Sequence, residues 1–141
     1  IPIPENPNAK IGFMKATEKL LNKGKVIHIY PEAALWPSYK KIRQFMPGAF
    51  HFASKYNVPI VPICINFRQR RGIFKKLKIR ADLVTVHIGK PIYPDTTLPF
   101  KERIAALQEK SHHNMVRMNK YFRIIDRSVA HAINKQDNEI I

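Results

Sequence analysis

The sequence predicts an α/β fold: a layered sheet with flanking helices and a long helix closing the chain. Three observations predict it. Helical and strand-like segments alternate through most of the chain, Gly-, Pro- or Asn-containing links separate them, and apolar residues after Phe100 recur every third or fourth position. A chain of 141 residues suffices for one domain with a core and is too short for two of ordinary size. Within it, about 1–98 reads as the α/β core and 99–135 as a C-terminal helical segment.

Ile1-Pro2-Ile3-Pro4 reads as an extended edge, since proline removes ladder donors. Asn6-Pro7-Asn8 is a helix start, and Phe13, Met14, Thr17, Leu20 and Leu21 give the next segment one apolar face. Gly24 ends that helix. Val26 to Tyr30 is expected as a short buried strand, and Pro31 to Pro47 as a long loop. Gly48 opens a second helix with Ala49, Phe52, Ala53 and Tyr56 on one face, and Asn57 stops it. Val58 to Ile65 returns as a strand, Asn66 to Arg80 forms a basic connection, and Leu83 to Ile88 makes a further strand ending at Gly89. Phe100, Ile104, Leu107, Met115, Met118, Phe122 and Ile125 predict a closing amphipathic helix to about Ile133, with Gln136 to Glu139 frayed.

Charge is one-sided, with 25 Lys and Arg against 10 Asp and Glu, a net +15. Such a surface attracts anionic lipid, nucleic acid or phosphorylated small molecules without choosing among them. The longest apolar run, Val58 to Ile65, is short and carries two prolines, so no segment spans a bilayer. Cys64 is the single cysteine, which favours a reducing compartment; its apolar run marks it as a core residue, with no His, Asp or Glu beside it in sequence.

The loop after Tyr30 is the place for chemistry, because open α/β sheets bind ligands beyond the carboxyl ends of their strands. It begins Pro31-Glu32 and carries Lys40, Lys41 and Arg43 before Gly48. A carboxylate among cations can hold a glycerol hydroxyl and a phosphate together, with the helix start at Gly48 adding backbone donors. The alternative is a solvated loop in which Glu32 pairs with a neighbouring lysine.

Three blocks, Val26-Ile27-His28-Ile29-Tyr30-Pro31-Glu32, Phe45-Met46-Pro47-Gly48-Ala49-Phe50-His51-Phe52-Ala53 and Val58-Pro59-Ile60-Val61-Pro62, resemble the lysophospholipid acyltransferase family. That family includes the 1-acylglycerol-3-phosphate acyltransferases. Its blocks are a strand ending Phe-Pro-Glu-Gly-Thr-Arg, a Lys-Gly-Ala-Phe helix start and a Val-Pro-Ile-Val-Pro strand. The resemblance implies a truncated acyltransferase domain that passes a fatty acyl group from acyl-CoA or acyl-carrier protein to a lysophospholipid. It implies acceptor binding by Pro31, Glu32, Lys40, Lys41, Arg43 and Gly48, and no metal or cofactor.

The chain departs from the pattern at three places. Ala33-Ala34-Leu35 stands where the family has Gly-Thr-Arg, so Lys40, Lys41 or Arg43 is expected to supply the missing arginine's charge. Pro4 stands where the family's preceding block ends in arginine. None of the six histidines has an aspartate after four intervening residues, the family's catalytic pair. That pair is therefore expected upstream of Ile1, with the fragment itself inactive.

Arg68, Arg70, Arg71, Phe74, Lys75, Lys76 and Lys78 interleave cations with apolar side chains, as does their neighbour Arg80. This suits an anionic membrane surface, implying a location on the cytoplasmic face, peripheral or anchored by an N-terminal region. A solvated charged loop is the plainer reading of the same residues. A nucleic-acid groove is the rival from another class, although no zinc, helix-turn-helix or RNA-binding signature accompanies it and no nucleic acid is expected. An inactive scaffold related to the enzyme is a further alternative. Met115, Met118 and Phe122 read as packing, and the adjacent His112 and His113 point in different directions on a helix.

Overall fold

Asn6 begins the first helix as its side chain accepts the Asn8 N–H at 2.9 Å, with Pro7 in the first turn where its missing donor costs nothing. The computed structural model describes residues 6–33, 41–68 and 83–138. Among these, three helices and a two-stranded sheet occur in the order α1 (Pro7–Asn22), α2 (Gly48–Tyr56), β1 (Ile63–Arg68), β2 (Leu83–Ile88) and α3 (Phe100–Asn138). The α/β class and the long C-terminal helix are those the sequence predicts.

Both short helices end as their sequences dictate. After α1, Gly24 takes φ 67, its N–H reaches the Leu21 carbonyl, and the Lys25 N–H reaches Leu20. Glycine accepts this left-handed closure without a Cβ clash. Asn57 closes α2 in the same way at φ 50.

Four expectations need correction. Val26 to Tyr30 is not a buried strand. It has no ladder partner among the described residues, and Val26 is 96% exposed. It keeps strand-like alternation, however, with Ile27 and Ile29 half-buried and Val26, His28 and Tyr30 exposed. The strand expected over Val58 to Ile65 starts late, because Pro59 and Pro62 bring no N–H to a ladder. Only an isolated bridge, Ile60 to Ile92, forms before β1 begins at Ile63. Asn66 to Arg68 then belongs to the strand rather than to the basic connection. Finally, α3 runs on through residues 136–138, where fraying was expected.

β1 and β2 pair antiparallel, from Ile63 opposite Ile88 to Arg68 opposite Leu83. Between this ladder and the Ile60–Ile92 bridge, the Gly89 side carries one extra residue, a bulge. Gly89 donates to the Pro62 carbonyl at 2.8 Å. The sheet's inner face, with Cys64 and Asn66 buried and Thr85 and His87 half-buried, packs on α3. There the His87 ring stacks on Phe122, centroids 3.3 Å apart.

The core lies between α2, α3 and the 42–60 region. Phe45, Phe50, Ala53, Ile92 and Leu107 form its buried centre, with Ile104 and Met115 packed against it. The inward stripe of α3 is broken by Ser111, nearly fully buried at a position where heptad-like spacing would place an apolar residue. α1 meets α2 through Phe13 edge-on to Phe52.

A Cβ at Gly89 would lie 2.8 Å from Pro62 Cγ and 2.9 Å from Met118 Sδ. The thioether can swing away, whereas the proline ring cannot without moving the bulge. Gly89→Ala is therefore expected to lower stability by about 1–3 kcal/mol in urea titration. An unchanged midpoint would refute this close packing.

Candidate functional site

The turn after Tyr30 closes through the Ala33 N–H on the Tyr30 carbonyl at 3.3 Å, leaving Pro31 and Glu32 at its corners. Ala33 has φ 52, a left-handed conformation that costs an L-residue ~1–2 kcal/mol. The resemblance drawn from sequence puts glycine at this position. The backbone geometry thus keeps what glycine provides, and the alanine bears the strain.

Two hydrogen bonds assemble a cleft around this turn. Met46 N–H donates to the Pro31 carbonyl at 2.7 Å, and Gln108 Nε2 on α3 donates to the Phe45 carbonyl at 2.7 Å. They gather the turn, the strand-free segment before α2 and the C-terminal helix around one open cavity of about 650 Å³. Glu32 and Arg43 share its wall with Gln44, Met46 and Gln108. Phe45 also lines it, with its buried ring stacked on Phe50 at 5.9 Å and meeting His112 edge-on at 5.0 Å.

Of the residues singled out by sequence, Glu32 and Arg43 come together here. Pro31 contributes through its carbonyl, and Gly48 opens α2 directly after the lining residue Pro47. Among the described residues no side chain caps that helix start. Lys41 is exposed and lies outside the cavity lining. Lys40 falls outside the described residues, as do Ile1 to Pro4, Arg70, Arg71, Phe74, Lys75, Lys76 and Lys78; Arg68 closes β1. The sequence led us to expect the cleft at the end of a paired strand, and among the described residues no such pairing precedes it. A turn clasped by a loop and a helix forms it instead.

Sequence reasoning missed Gln108. Its signal was a polar residue set one turn after Ile104 and one turn before His112, on the inward edge of a helix read only as packing. The cleft offers one carboxylate as acceptor, one guanidinium and two side-chain amides. That set can hold an alcohol hydroxyl on Glu32 and an anionic group on Arg43.

Cys64 takes no part in such chemistry. It is 1% exposed, its Sγ approaches Asn66 Oδ1 at 3.9 Å, and the sheet register sets His87 opposite it, a neighbour that sequence distance concealed. Burial pushes its thiol pKa up, and the negative charge of Glu32 adds to that. Among the described residues no three His, Cys, Asp or Glu side chains converge as metal ligands, and no helix is long and apolar enough to cross a membrane.

Fold and cleft together define an α/β chain whose open cavity is lined by both a carboxylate and a guanidinium. Residues 1–66, just under half of the chain, match the sequence model of a protein family described as Acyltransferase. The match takes in α1, the Glu32 turn, α2 and β1 as far as Asn66, and it supports a transferase family and acyl transfer as the general chemistry. No curated protein and no solved structure matches the chain.

Ala33→Gly should relieve the turn and, after glycine's greater unfolded-state entropy, raise stability by about 0.5–1 kcal/mol. A lowered urea midpoint would contradict the left-handed turn. Thiol-reactive dye should label Cys64 at least ~10²-fold faster in denaturant than in the folded protein. The raised thiol pKa also gives a sign: its stability contribution is complete below the ordinary thiol range and is lost as pH rises through the folded value. Equal labelling of folded and unfolded protein would contradict the burial.

Proposed function

We propose that the protein is a glycerolipid acyltransferase, moving a fatty acyl group from acyl-CoA or acyl-carrier protein to a lysophospholipid such as 1-acylglycerol-3-phosphate. The observation that carries this is the pairing of Glu32 with Arg43 on one cavity wall, inside the stretch that matches the acyltransferase family model. In this assignment Glu32 accepts a hydrogen bond from a glycerol hydroxyl, and Arg43 faces the phosphate. Its fork supplies the bidentate charge that the sequence lacks at Leu35, and the first N–H groups of α2 add to the anion's environment.

The chemistry is a displacement at a thioester. The acceptor hydroxyl loses its proton to a general base, its oxygen bonds to the acyl carbon, and the carbon–sulfur bond breaks to release the thiol. Because no histidine here has the required aspartate, the assignment places the base and its orienting carboxylate in sequence outside these 141 residues. Glu32 and Arg43 then act on where the acceptor sits, not on its proton.

A hydrogen bond to a charged group contributes ~1.5–3 kcal/mol, which is about 10–100-fold in affinity. In the full-length protein, Glu32→Ala is expected to raise the acceptor KM by that factor, with the melting temperature nearly unchanged. Arg43→Gln should weaken phosphate-rich lysophosphatidic acid more than zwitterionic lysophosphatidylcholine. An unfolded Glu32→Ala variant whose surviving fraction keeps the acceptor KM would sink the assignment.

A further inference from the structure

One peptide unit in the cleft is gripped at both edges. The carbonyl of Phe45 accepts from Gln108 Nε2 on α3 at 2.7 Å, and the N–H of Met46, in the same peptide plane, donates to the Pro31 carbonyl at 2.7 Å. A trans peptide is rigid and planar, and its C=O and N–H point in opposite directions. The two bonds therefore stretch this plane between α3 on one side and the turn that carries Glu32 on the other. Because a carbonyl oxygen only accepts, the bond also fixes which end of the Gln108 amide faces Phe45.

Arg43 stands two residues before the carbonyl that Gln108 holds, in a stretch from Ile42 to Met46 with no ladder among the described residues. Its place on the wall is thus set through Phe45. Gln108 is itself half-buried and lines the same cavity as Glu32 and Arg43. Behind it, Ile104, Leu107 and Met115 pack on the core without its help. Loss of the Gln108 bond leaves that apolar stripe and the Pro31 bond in place. The peptide plane can then tilt about its remaining bond, carrying Arg43 with it, while the core stays closed.

We infer that Gln108 is a positioning residue for the acceptor: through the Phe45–Met46 peptide it holds Arg43 where the guanidinium meets the acceptor's phosphate. The inference rests on the acceptor reading of the cleft and deepens it. It makes α3, which lies beyond the stretch matching the family model, a determinant of preference for phosphate-bearing acceptors.

The experiment is acyl-transfer kinetics of the full-length protein with lysophosphatidic acid and with lysophosphatidylcholine. Gln108→Leu keeps helix propensity and approximate size while removing the donor. It is expected to raise the KM for lysophosphatidic acid at least about fivefold, with kcat little changed and a smaller effect on lysophosphatidylcholine. In an Arg43→Gln background the same substitution should add less than about twofold, because two residues acting through one contact are not additive. Protection of Cys64 from dye reports that the variant is folded. Should Gln108→Leu lose that protection, Gln108→Glu decides instead. Its ionised carboxylate cannot donate to Phe45 but its protonated form can, so its KM relative to the unaltered protein should recover as pH falls toward the carboxylate range. Equal KM changes for both acceptors, full additivity with Arg43→Gln, or a Gln108→Glu defect indifferent to pH would overturn the positioning role alone. An unaltered protein that acylates neither lysophospholipid would overturn the acceptor reading and this inference with it.

Discussion

Phe45 is held from three directions, and the cleft depends on it. Its ring is buried between Phe50 of α2 and His112 of α3, and its carbonyl receives the Gln108 amide. The next residue, Met46, ties back to Pro31. A segment with no ladder of its own is thereby fixed by one aromatic anchor and two short hydrogen bonds. Without the anchor, Arg43 and Glu32 would have no reason to share a wall, since 11 positions separate them and no strand pairing links them.

The same junction explains why the C-terminal helix matters to the site. α3 lies beyond the stretch that matches the family model, yet it supplies both Gln108 and the Ile104–Leu107–Met115 stripe behind Phe45. Packing and positioning are one function here: the stripe buries apolar area, and its polar border residue catches an otherwise open carbonyl. A buried carbonyl left without a donor costs ~1–3 kcal/mol, comparable to one hydrogen bond to a ligand.

The sheet has a different logic. Its inner face is small and partly polar because it meets α3 through Cys64, Asn66 and the His87–Phe122 stack. Pro62 and Gly89 still pair in the ladder register, the extra residue follows over 90–91, and Gly89 is required there by close approach rather than by a special φ.

Local chemistry in the sequence determined the helix caps at Asn6, Gly24 and Asn57, the strand at Leu83 to Ile88, the long closing helix and the α/β class. Each depends on neighbours within a few residues, through a cap, a turn or a periodic face. It also singled out Glu32 and Arg43, because a Pro-Glu turn and a nearby guanidinium are visible as residue types. Only tertiary structure decided that those two line one cavity while Lys41 stands apart, that Gln108 joins the lining, and that His87 lies opposite Cys64 in the ladder. These are juxtapositions of distant positions, and periodicity carries no information about which face of one element will meet which face of another. Strand limits failed for the related reason that a ladder needs a partner: Val26 to Tyr30 has the residues of a strand but no described neighbour, and the prolines before Ile63 withhold donors from theirs.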